Sequence, residues 1–352
     1  MLHIHYSSAF ISLCLVFILF FSSCSLGEEA GFEKIGFSMG SAISSRIYAE
    51  NEAEANSLSE EIFAAIGELD SLISATDENS EISALNAEGE FFLSEEAGEI
   101  IRKSLDICEK SNGRLNIALG AVTKLWGFST DLPSLPDEKE LKSALGKSKL
   151  ENILIDGSFI SLKNGAQIDL GAVGKGAGAD EAERVLQKYS CSAVISFGGT
   201  VLLHGKKPGK ENWVIGVRDP FGSQNDYIAT LSFSGGQEAV FISTSGSYEK
   251  TFTENGKVYH HIIDPETGFP VQTELVSVTA VSNSGLIADA LSTALFAEGL
   301  TNRALELANE YSAGAVFIFE DGRIYVSGQI KDCFEITNTN KYTLMSDEEI
   351  IC

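Results

Sequence analysis

The sequence predicts an α+β fold of largely antiparallel or mixed β-sheets flanked by helices, organised as one globular unit. Three observations point to it. Residues 59–74 and 94–113 carry apolar side chains at helical spacing. From Asn152 onward the pattern changes to short β-rich runs, several of them joined by Gly or Asp-Gly turns. Only two helical segments, about Lys175 to Tyr189 and about Leu286 to Tyr311, interrupt those runs. Helices grouped against hairpin-connected strands make an α+β architecture rather than a βαβ repeat.

The first element is a leader. The apolar run from Ala9 to Phe21 is too short for a bilayer, which needs about 20 residues, but suits the core of a signal peptide. It ends in Phe21-Ser22-Ser23-Cys24, which resembles a bacterial lipoprotein signal. Phe21 stands where a leucine is usual, and the first residues lack Lys and Arg; the other reading is a plain secretory signal. The expectation is a signal peptide over 1–23 with Cys24 lipidated, a tether over 24–35 and one domain over 36–352. That places the protein outside the cytoplasm, lipid-anchored to the inner membrane on its periplasmic or outer face.

Charge narrows the partners. Acidic residues outnumber basic ones 50 to 25, for a formal net charge of −25. Such a surface repels phosphate backbones and anionic lipid, so nucleic acid is excluded and any membrane contact is through the anchor. An anionic ligand needs local help from a metal ion, a lysine or backbone N–H groups. The later cysteines, Cys108, Cys191, Cys333 and Cys352, show no CxxC or His/Cys spacing, so a zinc or redox motif is not indicated.

The helical stripes come next. Ile62, Ile66, Leu69 and Ile73 mark the first helix. The second starts at Ser94 as N-cap and stops near Gly113, with Ile100, Ile101, Leu105 and Cys108 inward. Strands follow as NILIDG, FISLKNG, AVISFGG, VLLHG, NWVIGV, YIATLSF, AVFIST, KVYHHII, LVSVTAV and AVFIFEDGRIYVSG.

Five stretches carry residue types suited to chemistry. QIDLGAVGKGAGAD (167–180) joins a strand to a helix through glycines, where free N–H groups and Lys175 favour an anion. Its spacing is that of neither a P-loop nor a dinucleotide fingerprint, so a plain tight turn is an equal reading. In SFGGTVLLHG, Gly198 and Gly199 mark a bulge or bare backbone under a ligand. Ser243, Thr244 and Ser245 gather hydroxyls at a strand end without any G-x-S-x-G, so they position a ligand or cap a turn. Asp289 and Thr293 are an i, i+4 pair on an apolar, hence buried, helix. Carboxylate plus hydroxyl are the hard oxygen ligands Mg²⁺ prefers; the other reading is an internal bond between them, with Asp289 capping a neighbour. Finally, YHHIIDPETGFPV (259–271) sets two histidines before an Asp-Pro-Glu-Thr-Gly turn. Strand alternation keeps His260 and His261 from facing one cleft together.

Taken in order, SMGSAISSRIY, DENSEISALN, LGAVTKLWGF, IDLGAVGKGAGAD, SFGGTV, STSGSYEKTF, HHIIDPETGFPV and ADALSTALF resemble the FAD:protein FMN transferase (ApbE) family, from about residue 36 to the C-terminus. The resemblance implies an enzyme that binds FAD with Mg²⁺ and passes FMN to a threonine hydroxyl of a target protein, releasing AMP. It implies a metal held by Asp289, Thr293 and the main-chain carbonyl of Ala172, with Ser292 as a further contributor. It implies FAD contacts at Met39, Thr76, Asn79, Asp169, Lys175 and Ile263, and at Asn116, Ile117 and Ala118. His261 matches the histidine of the family's H-I-x-D-P-x-T-G stretch and is expected to act as the base, with His260 structural. The acceptors implied are subunits of sodium-pumping NADH:quinone oxidoreductase or Rnf-type complexes. The sequence departs from the family at Ser41 (usually Thr), Asn116 (Asp), Ala118 (Thr) and Ala121 (Pro). Gly171-Ala172 stands where the family has Gly-Gly. Two alternatives use the same pocket: an Mg²⁺-dependent FAD pyrophosphatase giving FMN and AMP, and a flavin-binding lipoprotein without turnover.

Overall fold

The computed structural model describes residues 31–350 except 131, 224 and 237. The leader, Cys24 and most of the tether lie outside the described residues, as does Cys352. The described residues open with a hairpin that the helix-and-strand reading did not pick out, β1 (Phe32–Ser38) and β2 (Ser41–Tyr48). β1 thus begins inside the stretch expected to be tether. Its two-residue turn puts both Met39 (φ 52°) and Gly40 (φ 66°) at positive φ, the geometry that matches hairpin twist.

Then come α1 (Glu52–Ile73), α2 (Glu81–Glu88), β3 (Glu90–Phe92), α3 (Glu95–Lys110), α4 (Gly120–Trp126), α5 (Glu138–Lys147), β4 (Ile153–Asp156) and β5 (Phe159–Leu162). The central segment is α6 (Gly174–Leu186), β6 (Ser192–Ser196), β7 (Thr200–His204), β8 (Trp213–Arg218), β9 (Tyr227–Phe233), β10 (Val240–Gly246), β11 (Thr251–Glu254) and β12 (Lys257–His260). β13 (Leu275–Ser282), α7 (Gly285–Glu298), α8 (Asn302–Glu310), β14 (Gly314–Phe319), β15 (Arg323–Val326), β16 (Phe334–Ile336) and β17 (Thr343–Leu344) complete it.

A nine-stranded sheet, ordered β1-β2-β6-β7-β10-β13-β14-β15-β17, is the frame. All its pairings are antiparallel except β15 with β17. Period-2 alternation sorts its side chains between two cores. Ala193, Ile195, Leu202 and Phe241 pack under α1 and α6, with Ile62, Ile66 and Val185. Val194, Val201, Leu203 and Ile242 face the other way, onto the small sheet β16-β9-β8. The first face continues into the largest core, where α3, α7, α8 and the sheet β3-β5-β4 meet. A smaller core holds Trp126, Leu141, Tyr259 and Ile263.

The expected helices and strands are present, with shifted limits. Asn51 caps α1 by accepting from the Glu54 amide, so that helix starts well before its apolar stripe. Ser94 caps α3 as expected, accepting from the Ala97 amide, and Leu105 ends up only half-buried. The run read as one helix over 286–311 is two. Gly299 (φ 79°) ends α7, and Thr301 caps α8 through the Ala304 amide. Among the described residues no helix is long and apolar enough to cross a membrane. Cys108, Cys191 and Cys333 are free thiols, and burial pushes Cys108 up to about 12.

Candidate active site

The site grows from a contact between two helix starts. A Cβ on Gly176 would lie 2.2 Å from the Gly285 carbonyl oxygen, and one on Gly285 2.3 Å from that of Gly176. Only glycine lets two backbones approach so closely, so these glycines pack α6 against α7. The helices then cap each other. Asp289 of α7 accepts from the Gly176 amide at 2.9 Å. Asp180 of α6 accepts from the Gly285 and Leu286 amides and from Ser284 Oγ, at 2.6, 3.0 and 3.1 Å. Burial raises the Asp180 carboxyl above its ordinary value although those donors pull it down.

β10 lies across α7 and presents Ser243 and Ser245 on one face, two residues apart. Ser243 Oγ donates to Asp289 Oδ1 at 2.8 Å and contacts Thr200 Oγ1 at 2.9 Å. Ser245 Oγ lies 2.8 Å from Ser292 Oγ and 3.1 Å from Thr293 Oγ1. Asp289, only 4% exposed, has no ion pair among the described residues. A buried carboxylate without a cation is costly unless it binds a metal or is densely hydrogen-bonded. Its two oxygens each receive one hydrogen bond, which leaves each a lone pair.

Ala172 sits in the turn just before α6, where the Val173 and Gly174 amides return to the Leu170 carbonyl. The Gly176 amide goes to Asp289 instead of back to Ala172, and no backbone amide among the described residues donates to the Ala172 carbonyl. Asp289 against the α6 start and Ala172 just before it therefore offer oxygen lone pairs, and Thr293 offers its own one turn along α7. No group of three or more His, Cys, Asp or Glu among the described residues is placed to hold a metal. A cation here would meet one carboxylate and would complete its shell with neutral oxygens, water and ligand. That donor set fits Mg²⁺, which is commonly held by one or two carboxylates plus phosphate.

Lys175 projects from the first turn of α6. Its Nζ is 3.3 Å from where a Cβ on Gly199 would stand, so its charge lies over the bare Gly198-Gly199 backbone. The same charge reaches His261. Burial, then Lys250, then Lys175 push that imidazole down to about 3, so it is neutral at ordinary pH. His261 Nδ1 is 3.1 Å from the Glu249 carbonyl oxygen. A carbonyl only accepts, so Nδ1 carries the proton and Nε2 keeps an open lone pair. Phe128 meets the ring edge-on at 6.4 Å between centroids. His260 turns inward instead. Its Nε2 donates to the Val271 carbonyl, its Nδ1 accepts from the Ile262 amide, and Phe296 packs against it edge-on. Burial lowers its pKa as well.

The other expected ligand contacts divide. Met39 sits in the hairpin turn with its sulfur 2.8 Å from a Cβ built on Gly178 of α6. The Asp70 carboxylate holds its amide at 2.7 Å and Ser38 Oγ at 3.0 Å, which fixes a left-handed conformation rare for methionine. Thr76 and Asn79 are exposed in the loop after α1, whose last residue, Ile73, lies 3.9 Å from a Cβ on Gly174. Asp169 accepts from Thr123 Oγ1 at 2.6 Å and from the Gly171 amide at 2.8 Å. Asn116 donates to the Ser148 carbonyl and accepts from the Ala118 amide, while the Ile117 carbonyl accepts from Asp169. Ile117 and Ala118 are buried, and the Ile263 side chain belongs to the Trp126 core. The structure thus places Met39, Ala172, Lys175 and Asp289 in or against the start of α6, with Thr293 one turn further along α7 and His261 within reach of the Lys175 charge. It commits the side chains of Asn116, Ile117, Ala118 and Ile263 to packing and internal bonds. Asp264-Pro265-Glu266-Thr267-Gly268 is a turn, closed by a 2.8 Å bond from the Gly268 amide to the Asp264 carbonyl.

Sequence reading did not single out Asp70, Thr123, Phe128, Asp180 or Thr200. Each acts on a partner far along the chain, so no local signal marks it.

The comparisons with known proteins follow this geometry. The chain is 32% identical over 308 residues to the FAD:protein FMN transferase of Treponema pallidum, covering 82% of this chain and 84% of that protein. It is 29% identical over 296 residues to a Klebsiella pneumoniae protein of the same name, covering 82% and 89%. The crystal structure of the ApbE protein of Thermotoga maritima superposes with a TM-score of 0.79 at 29% identity, over 86% of this chain and 99% of that one. The flavin transferase ApbE of Vibrio cholerae does so with a TM-score of 0.73 at 25% identity, over 86% and 99%. A sequence profile described as "ApbE family" matches residues 39–318, the span that contains the helix crossing, the hydroxyl seam and His261, and the chain belongs to that family.

Proposed function

We propose that this chain is an FAD:protein FMN transferase that uses Mg²⁺, moves FMN onto a threonine hydroxyl of a target protein and releases AMP. The observation that carries this reading is Asp289, a buried carboxylate with no ion pair among the described residues, set among unshared oxygen lone pairs and bonded to the amide of Gly176, the residue after Lys175. Asp289, Thr293 and the Ala172 carbonyl would hold Mg²⁺, which when bound neutralises the diphosphate and the departing phosphate. Lys175 adds a fixed positive charge on the same anion, over backbone that lets a phosphate come close. The neutral His261 presents Nε2 to the incoming hydroxyl. A Thr Oγ–P bond forms on the FMN side, the P–O bond to AMP breaks, and the threonine proton passes to Nε2. An imidazole pushed this low, first by burial and then by Lys250 and Lys175, is a weak base alone; a bound diphosphate would offset the lysine part of that shift. Export and anchoring through Cys24 belong to the same reading and rest on the sequence alone.

The test is incubation of the mature protein with FAD, Mg²⁺ and a flavinylated-type subunit of a sodium-pumping NADH:quinone oxidoreductase or Rnf-type complex. Fluorescent acceptor on a denaturing gel, dependent on Mg²⁺, is the expected result. Free FMN without labelling would make the chain a pyrophosphatase, and intact FAD would make it a binding protein.

A further inference from the structure

The hydroxyls between β10 and α7 form a directed network, and the direction follows from counting protons. Each serine or threonine hydroxyl has one to give. Ser292 gives its proton to the Asp289 main-chain carbonyl at 2.8 Å. In its contact with Ser245 it must therefore accept. Ser245 has then used its only proton, so in its contact with Thr293 it too accepts. The Thr293 proton is turned toward β10, and its lone pairs face away from the strand. Ser243 donates to Asp289, so the proton between Ser243 and Thr200 comes from Thr200. Ser292, fully buried, spends its proton on the Asp289 carbonyl and one lone pair on Ser245, which leaves it one lone pair.

We propose that Ser243 and Ser245 are positioning residues for the cation site. Ser243 fixes the rotation of the Asp289 carboxylate, and Ser245 takes the Thr293 proton so that the threonine presents a lone pair. The inference rests on the cation site argued above and assigns its supporting shell to one face of a single strand. Outer groups of this kind orient ligands, and losing one typically weakens metal affinity by about 10–100-fold. A threonine whose proton is not held elsewhere is a poorer ligand, because rotation of the hydroxyl can aim O–H at the cation.

The test uses the metal-free full-length protein and Mn²⁺ alone as the probe, with free Mn²⁺ followed by electron paramagnetic resonance, with and without FAD. Ser245→Ala, where the site is only half-buried and folding is least at risk, is expected to weaken Mn²⁺ binding about 10–100-fold, and Ser245→Thr to restore it. In turnover, the Mg²⁺ concentration for half-maximal rate should rise by a similar factor, while the rate at saturating Mg²⁺ changes far less. Ser243→Ala should act in the same direction, with circular dichroism as the check that it folds. Affinity in Ser245→Ala within about twofold of the parent, or a metal-free FAD affinity that falls as much as Mn²⁺ affinity does, would overturn the proposal. If the parent protein itself binds no Mn²⁺ in the presence of FAD, the cation site fails first. If it binds and the variants match it, only the positioning role fails.

Discussion

The seam between α7 and β10 and the loop from Asn116 to Gly120 are built from similar materials, short polar side chains and backbone carbonyls, yet they use them in opposite ways. In the loop the Asn116 side chain and the neighbouring main-chain groups that are bonded all close on the protein itself. Asn116 is engaged at both ends of its amide, the Ile117 carbonyl takes the Asp169 amide, and the Gly120 amide goes to Gln167. In the seam each hydroxyl passes its proton inward, and the chain of bonds ends with open lone pairs on Asp289 and Thr293. Residue type does not separate a binding site from scaffolding here. The count of unshared protons and lone pairs does.

The sharpest way to break this contrast is on the seam side. Asp289→Ala removes the one carboxylate that a cation would meet. Since a metal contributes several kcal/mol of charge stabilisation, FMN transfer should fall by roughly 10³-fold or more. A loss of tenfold or less, measured by acceptor fluorescence, would put Asp289 with the scaffold.

The two histidines sharpen the same comparison at a smaller scale. His261 has one ring nitrogen bound and one open, whereas His260 has both engaged. His261→Ala should slow transfer by about 10²–10⁴-fold, the usual worth of a positioned acid or base. His260→Ala should instead lower stability by about 1–3 kcal/mol through the lost buried bonds and leave turnover nearly intact. Because its surroundings hold His261 well below the usual imidazole range, protonation of the free enzyme at this residue should not limit the rate until well below pH 6.5. A rate that halves near pH 6.5 and loses this limb in a His261 variant would contradict that environment.

The smallest effect is expected in the loop. Asn116→Asp replaces the N–H₂ that donates to the Ser148 carbonyl with an oxygen, so unfolding should become easier by about 1–3 kcal/mol. The FAD KM should stay within about twofold if the side chain is scaffolding. A large drop in KM without loss of stability would show that the loop serves the ligand after all.

What was readable in advance follows the range of the interactions. The strands after Asn152 were legible because alternation and Gly turns are local signals, and both faces of the sheet are covered by cores that demand apolar side chains. Asp289 and Thr293 were legible because i, i+4 spacing needs only a helix. The β1–β2 hairpin was missed: its inward face mixes Ile43 and Ile47 with Ser45, which is satisfied by Ser59 from another element. The single helix read over 286–311 hid a break because Gly299 and Thr301 only become a stop and a start once the chain turns there. Asp70, Asp180 and Thr200 bond partners 31, 105 and 43 residues away, and no window along the chain contains both members. The glycines of 171–178 were read for an anion, whereas Gly176 is required first by helix packing.

The central claim is that oxygens from α7 and from the turn before α6 meet around one divalent cation. The most direct measurement is anomalous scattering from a crystal of this protein grown with Mn²⁺ and FAD. The account predicts a single manganese peak at ligand distance, roughly 2–2.3 Å, from Asp289 Oδ, Thr293 Oγ1 and the Ala172 carbonyl oxygen, with a diphosphate oxygen in the same shell. Manganese bound elsewhere, or FAD bound in the cleft with no metal peak beside Asp289, would contradict it.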